Sequence, residues 1–258
     1  MPQLIFITGA SSGIGQALAW RYYQAGFNLA LVARRTDEML GWAQGLGLDV
    51  SRYQVYGADV AIIDSIAAAA KKCLETQGVP DIVIANAGVS IGIDSALRED
   101  LDVLARTFAI NNIGLAATFH VFIEPMSLRG SGALVGIGSV AGIRGLPGHG
   151  AYCASKAGVI SYCESLRGEL RDAGVKVVTI CPGYIDTPLT QKNRYAMPFL
   201  MQPEVFAEKA FAAIGAGATY RVIPWQMGWV AKGLRLLPNF VFDKVLSGRP
   251  RKRRVTGD

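Results

Sequence analysis

Seven short apolar runs, separated by stretches that are mostly long enough for a helix, constrain this chain more than any other feature. Residues 4–9 (LIFITG), 29–34 (LALVAR), 52–60 (RYQVYGADV), 81–88 (DIVIANAG), 132–139 (GALVGIGS), 175–183 (VKVVTICPG) and 219–224 (TYRVIP) read as strands, several of them nearly unbroken in Val, Ile, Leu and Ala. A strand with one wet face alternates polar and apolar residues, whereas an unbroken one must be covered on both faces, as in a parallel sheet between two helical layers. The segments 13–25, 37–45, 62–77, 97–128 with an interruption, 150–173 and 203–216 supply those helices. Parallel crossovers are right-handed, so the expected fold is α/β: a single-domain Rossmann fold, a doubly wound parallel sheet of about seven strands with helices on both faces. No repeat, low-complexity tract or linker divides the 258 residues. Residues 1–224 are expected to form this domain, and 225–258 an apolar and basic extension packed on it or on a partner.

Composition removes several function classes. The four cysteines, Cys73, Cys153, Cys163 and Cys181, have no Cys-x-x-Cys spacing, and His120 and His149 are the only histidines, so no metal site is expected and the thiols read as free and buried. The opening MPQLIFITGASSG lacks a basic n-region and a long apolar run, and no stretch approaches the roughly 18 apolar residues of a spanning helix. A cytoplasmic location is expected. Formal charge is +6 from 26 basic and 20 acidic residues. Five of the basic ones (Arg249, Arg251, Lys252, Arg253, Arg254) and Asp258 lie in the last ten positions, leaving 21 against 19, or +2, for residues 1–248. The basicity belongs to a tail, so the body offers no nucleic-acid face.

Three stretches carry chemistry. The first strand runs into TGASSGIGQALA, where Gly9, Gly13 and Gly15 let the chain turn tightly, admit a phosphate close to the backbone and bring the next helix near the strand. That helix then offers free N–H groups and a positive dipole end to a pyrophosphate. The second strand ends in Arg34 and Arg35 where an acidic residue would accept from an NAD ribose; two guanidinium groups suit the extra 2′-phosphate of NADP(H), the expected cofactor. In HGAYCASKAG, Tyr152 and Lys156 stand four residues apart and share one helix face, and an ammonium beside a phenol favours the phenolate.

In order and spacing, TGxxxGIG at 8–15, Asp59, NAG at 86–88, Asn111, Ser139, Tyr152-x-x-x-Lys156 and PGYIDT at 182–187 resemble the classical short-chain dehydrogenases/reductases, over about residues 3–224. The resemblance implies that Tyr152 is the general acid or base at the substrate oxygen, that Lys156 lowers its pKa and holds the nicotinamide ribose, that Ser139 stabilises the developing alkoxide, and that Asn111 binds a proton-relaying water. It further implies that Gly9, Ser11, Ser12, Gly13, Ile14, Gly15, Arg34, Arg35, Asp59, Val60, Asn86, Ala87 and Gly88 line the adenine and phosphate half of the cofactor site. Pro182, Gly183, Ile185 and Thr187 would close over the nicotinamide. The reading is an NADP(H)-dependent oxidoreductase acting on a carbonyl or secondary alcohol. A dinucleotide-binding sensor or scaffold without turnover is the rival.

Residues 188–202 (PLTQKNRYAMPFLMQ) fall where that family carries a mobile lid, and Leu189, Tyr195, Met197, Phe199, Leu200 and Met201 point to a hydrophobic substrate. In the extension, Trp225, Trp229, Leu236, Phe240 and Phe242 are interleaved with Lys232, Arg235 and Lys244. Packing within the chain or in a homodimer or homotetramer is the first expectation, and peripheral membrane contact through residues 226–254 the second.

Overall fold

The structure, a computed structural model, describes residues 2–191, 193, 196–248, 252 and 254. One seven-stranded parallel sheet runs through it: β1 (Leu4–Thr8), β2 (Asn28–Ala33), β3 (Tyr53–Gly57), β4 (Ile82–Ala85), β5 (Gly132–Ile137), β6 (Val175–Pro182) and β7 (Tyr220–Ile223), in spatial order β3-β2-β1-β4-β5-β6-β7. The hydropathy pattern tracks position in this order. All five residues of β1, an interior strand, are buried, whereas the edge strands β3 and β7 expose Gln54, Tyr220 and Arg221.

Helices α1 (Gly13–Gln24), α2 (Thr36–Gly45) and α7 (Pro203–Gly215) take part in one apolar layer, with Ile5, Ile7, Leu29 and Leu31 from the sheet. Helices α3 (Ile63–Thr76), α5 (Gly114–Arg129) and α6 (Gly150–Glu169) take part in the other, where Phe6 meets Phe122 edge-on at 4.8 Å. Adjacent residues of one strand thus face opposite layers, which is why β1 tolerates no polar side chain facing either layer before Thr8. Truncating Phe6, fully buried, would cost about 3–5 kcal/mol. The interruption expected in 97–128 is a single wide π turn, Ala109–Ile113, between α4 (Glu99–Phe108) and α5.

The strand readings at 52–60, 81–88 and 132–139 ran long. β3, β4 and β5 stop at Gly57, Ala85 and Ile137, because the residues that follow leave the ladder to line a cavity. Asn86, for example, turns its side-chain amide across to the carbonyls of Thr8 (3.0 Å) and Gly9 (3.2 Å). All four cysteines are free and buried.

The extension forms α8 (Trp225–Leu236) and α9 (Asn239–Leu246), parted by Pro238. α8 packs on β7 and buries Met227 and Ala231. Arg144 ties both helices down. Its guanidinium donates to the carbonyls of Leu234 and Leu237 (2.8 Å for the latter) and to Asn239 Oδ1 (3.1 Å), and lies 3.7 Å over the Phe242 ring. Trp225, Trp229, Leu236 and Phe240 face outward.

Candidate active site

Strand order reverses at β1, whose neighbours β2 and β4 lead the chain to opposite sides of the sheet, and a crevice opens at the carboxyl ends of the strands there. It holds a cavity of about 600 Å³. Residues after β1, β2, β3, β4, β5 and β6 line it, together with Tyr152 and Lys156 from α6.

Of the residues singled out in the sequence, all but Gly15 and Asn111 are among its lining. Both exceptions have a physical reason. A Cβ on Gly15 would stand 2.2 Å from the Gly9 carbonyl oxygen, so this glycine lets α1 press against the turn and lies beneath the cavity wall. Asn111, in the π turn, is buried. Its Oδ1 accepts from Val89 N–H (2.9 Å), and its Nδ2 donates to the Val89 carbonyl (3.0 Å) and Ser155 Oγ (2.9 Å). In this structure the asparagine ties the loop after β4 to α6.

The phosphate end is built to receive an anion. α1 has no acid in its first turn and its N-cap Ser12 makes no side-chain capping bond, so the first amides of the helix are left for a ligand. Gly13 adopts φ 56°, the left-handed region, just where the turn enters the helix. Arg35 reaches over this turn, donating to Ser11 Oγ (3.2 Å) and to Glu38 (2.9 Å). Arg34 stays largely exposed, with Asp59 3.8 Å from its guanidinium. A dinucleotide fits this set: uncapped helix amides and a glycine turn for the pyrophosphate, with the arginines and Asp59 at the ribose end.

At the other end, Lys156 Nζ donates to the Ile137 carbonyl (2.7 Å) and lies 5.9 Å from the Tyr152 ring centre. Burial pushes the lysine down to about 8 and the phenol up to about 12, while a hydrogen bond with Ser139 pulls the phenol the other way. The phenol's net shift is upward and not the expected lowering: burial dominates, Cys153 and Cys181 add to the rise, and the Ser139 hydrogen bond opposes it. Ser139 Oγ also accepts from Ala141 N–H (3.1 Å), which fixes the hydroxyl at the end of β5.

A second cavity, about 730 Å³, adjoins the first, and Ser139, Tyr152, Gly183, Leu189 and Thr190 border both. Its walls are mostly apolar, with Val140, Leu146, Met227, Ala231, Leu234 and Leu246 among them. In the 188–202 segment Leu189, Ala196 and Pro198 line the open side of this cavity and, like Phe199 and Leu200, are exposed, while Tyr195 lies outside the described residues.

A family profile described as short chain dehydrogenase matches residues 3–197. The chain is a short-chain dehydrogenase/reductase. It is 36% identical over 240 residues to an uncharacterized oxidoreductase of Myxococcus xanthus, covering 92% of this chain and 93% of that one. An alcohol dehydrogenase from the archaeon Thermococcus sibiricus, solved with 5-hydroxy-NADP, superposes with TM-score 0.77 at 25% identity (86% of this chain, 96% of the other). A short-chain dehydrogenase/reductase from Burkholderia phymatum in complex with NAD gives TM-score 0.80 at 24% identity, with 97% of each chain covered. Family membership makes this chain an oxidoreductase of the short-chain type, with a cleft for a dinucleotide.

Sequence reasoning assigned no site role to most of the second cavity's lining, including its polar residues Ser90, Arg144, His149 and Lys252. Lys252 belongs to the basic tail, whose composition was visible but whose place in space was not. Within that tail Lys252 and Arg254 are described, and Arg249, Arg251 and Arg253 lie outside the described residues.

Proposed function

We propose that this short-chain dehydrogenase/reductase is an NADP(H)-dependent reductase of apolar carbonyl compounds, with Tyr152 as the proton donor. The observation that carries the reading is the shared wall: Ser139 and Tyr152 border both the cofactor cleft and the apolar cavity, so a carbonyl held there faces both. A bound nicotinamide dinucleotide supplies the hydride. Tyr152 Oη would give its proton to the carbonyl oxygen, and Ser139 Oγ would donate a hydrogen bond to that oxygen as negative charge gathers on it. Burial raises the phenol to about 12, so it is protonated at neutral pH, the form in which it can give a proton to a carbonyl oxygen. Lys156 Nζ, 5.9 Å from the Tyr152 ring centre, would hold the nicotinamide ribose. Arg34 and Arg35, at the tip of β2, favour a 2′-phosphate.

The test is a fluorescence titration of NADPH and NADH into the protein and into Arg34→Asp, followed by NADPH oxidation with a panel of apolar ketones and aldehydes. NADPH binding that Arg34→Asp weakens, with turnover abolished in Tyr152→Phe, is the expected result. Equal affinity for both cofactors would sink the NADP(H) preference. Cofactor binding without turnover on any carbonyl would favour the sensor reading.

A further inference from the structure

The C-terminal tail brings a cation into the apolar cavity. Lys252 is one of its walls, and its Nζ donates to Ser90 Oγ at 2.7 Å and stands 6.0 Å from the centre of the Tyr152 ring. An ammonium carries three donors, and among the described residues no carboxylate pairs with this one. The other cationic candidates in the same wall are accounted for. Arg144 is held by two backbone carbonyls and Asn239. His149 is driven by burial, and then by the Lys252 charge, down to about 4, and so is neutral at physiological pH.

The placement is held by the tail itself. Two residues on, Arg254 forms a two-pronged contact with Asp100, Nε to Oδ2 at 2.6 Å and Nη2 to Oδ1 at 3.1 Å, and Glu99 adds a third at 3.4 Å. Asp100 is buried at the start of α4 and also accepts from Asp94 N–H at 2.6 Å. A buried carboxylate that pairs with the tail's Arg254 anchors the tail two residues from Lys252. Burial of a charge without a counter-charge is unfavourable, and an incoming anion relieves it.

We propose that Lys252 Nζ is the anion-binding group of the substrate cavity, and that the substrate is therefore an oxo acid, its carboxylate close to the reacting carbonyl and its remainder apolar. Ser90 Oγ and the ammonium would hold the carboxylate, and the walls formed by Val140, Met227, Ala231 and Leu246 would take the chain. A ligand that is all hydrocarbon beyond its carbonyl would leave this lysine unpaired.

The inference rests on the reading that carbonyl reduction happens in this cavity, and the experiment separates the two. Full-length protein with NADPH is assayed on matched pairs, medium-chain 2-oxo and 3-oxo acids against their methyl esters, in the wild type, Lys252→Met and Lys252→Arg, with thermal midpoints checking the fold. The wild type is expected to prefer the acid, and Lys252→Met to lower the acid-to-ester ratio of kcat/KM about 10- to 100-fold, chiefly through KM, with Lys252→Arg recovering part of it. Turnover in which acid and ester are equal, or in which Lys252→Met depresses both alike, overturns the anion site and leaves carbonyl reduction standing. If no carbonyl is turned over, that reading fails, and calorimetric titration of octanoate into the NADPH-loaded wild type and Lys252→Met decides the anion site. Heat lost in the variant supports it, and equal or absent heat rejects it.

Discussion

The two ends of the molecule reach the same cleft by different routes. The front end does so locally: Gly9, Gly13 and Gly15 lie within seven residues, and Tyr152 and Lys156 within one turn of α6. The back end does so at long range. Lys252 meets Ser90 across 162 residues, and Arg254 meets Asp100 across 154. The lesson is that chemistry built on backbone spacing can be read along the chain, while chemistry built on tail docking depends on a tertiary contact whose partners carry no common motif.

Substitutions at the two ends should therefore behave differently, and the largest effect belongs to the front. Tyr152→Phe removes the proton but keeps the ring, and kcat for reduction should fall by about 10²–10⁴-fold while NADPH affinity, read by fluorescence, holds within a few-fold. Next comes Gly15→Ala. Its Cβ would meet the Gly9 carbonyl oxygen at 2.2 Å, so about 1–3 kcal/mol of stability and at least tenfold in dinucleotide affinity should go together, as thermal melts and titration would show. Retained affinity would mean the turn can yield, and the front end is less rigid than claimed.

Acid should act on the back of the cleft. His149 titrates near 4 in the folded protein, against 6.5 for an ordinary histidine, because it is buried and lies near Lys252. Between those values the unfolded chain takes up a proton that the folded one refuses, so stability is undiminished above pH 6.5 and declines as pH falls toward 4. His149→Gln should flatten that decline by a few °C in melts taken from pH 7 to pH 4.5. A variant with the same slope as the wild type would place the acid sensitivity elsewhere.

The smallest effect should come from the outer face of α8. Trp229 is 69% exposed with Lys232 5.5 Å from its ring, so Trp229→Ser should change stability by no more than about 0.5 kcal/mol. If residues 226–254 touch anionic membranes, the same change should reduce co-flotation with phosphatidylserine vesicles. Equal recovery of both proteins in the soluble fraction would discard that contact.

Much of the cleft was legible because it depends on short-range rules. An unbroken apolar strand followed by glycines predicts the turn into α1, and all but two of the site residues named from sequence line the cavity found there. The exceptions mark where spacing stops informing. Asn111 was visible as a residue in an interrupted helix, but its bonds to Val89 and Ser155 exist only because a π turn aims its amide at the loop after β4. The shift at Tyr152 was unreadable for the same reason, since an i, i+4 lysine says nothing of how deeply the phenol is buried.

By itself, then, the sequence determined the doubly wound sheet, the glycine turn and the pairing of Tyr152 with Lys156, all consequences of hydropathy and backbone geometry within a few residues. The tertiary structure alone decided which strands take the edges, which residues of 188–202 reach the second cavity, and that a tail rich in basic residues delivers Lys252 beside the Tyr152 ring. Those outcomes turn on burial and on partners far apart in the chain, such as Asp100 for Arg254, and burial is a property that no residue has until the chain has folded.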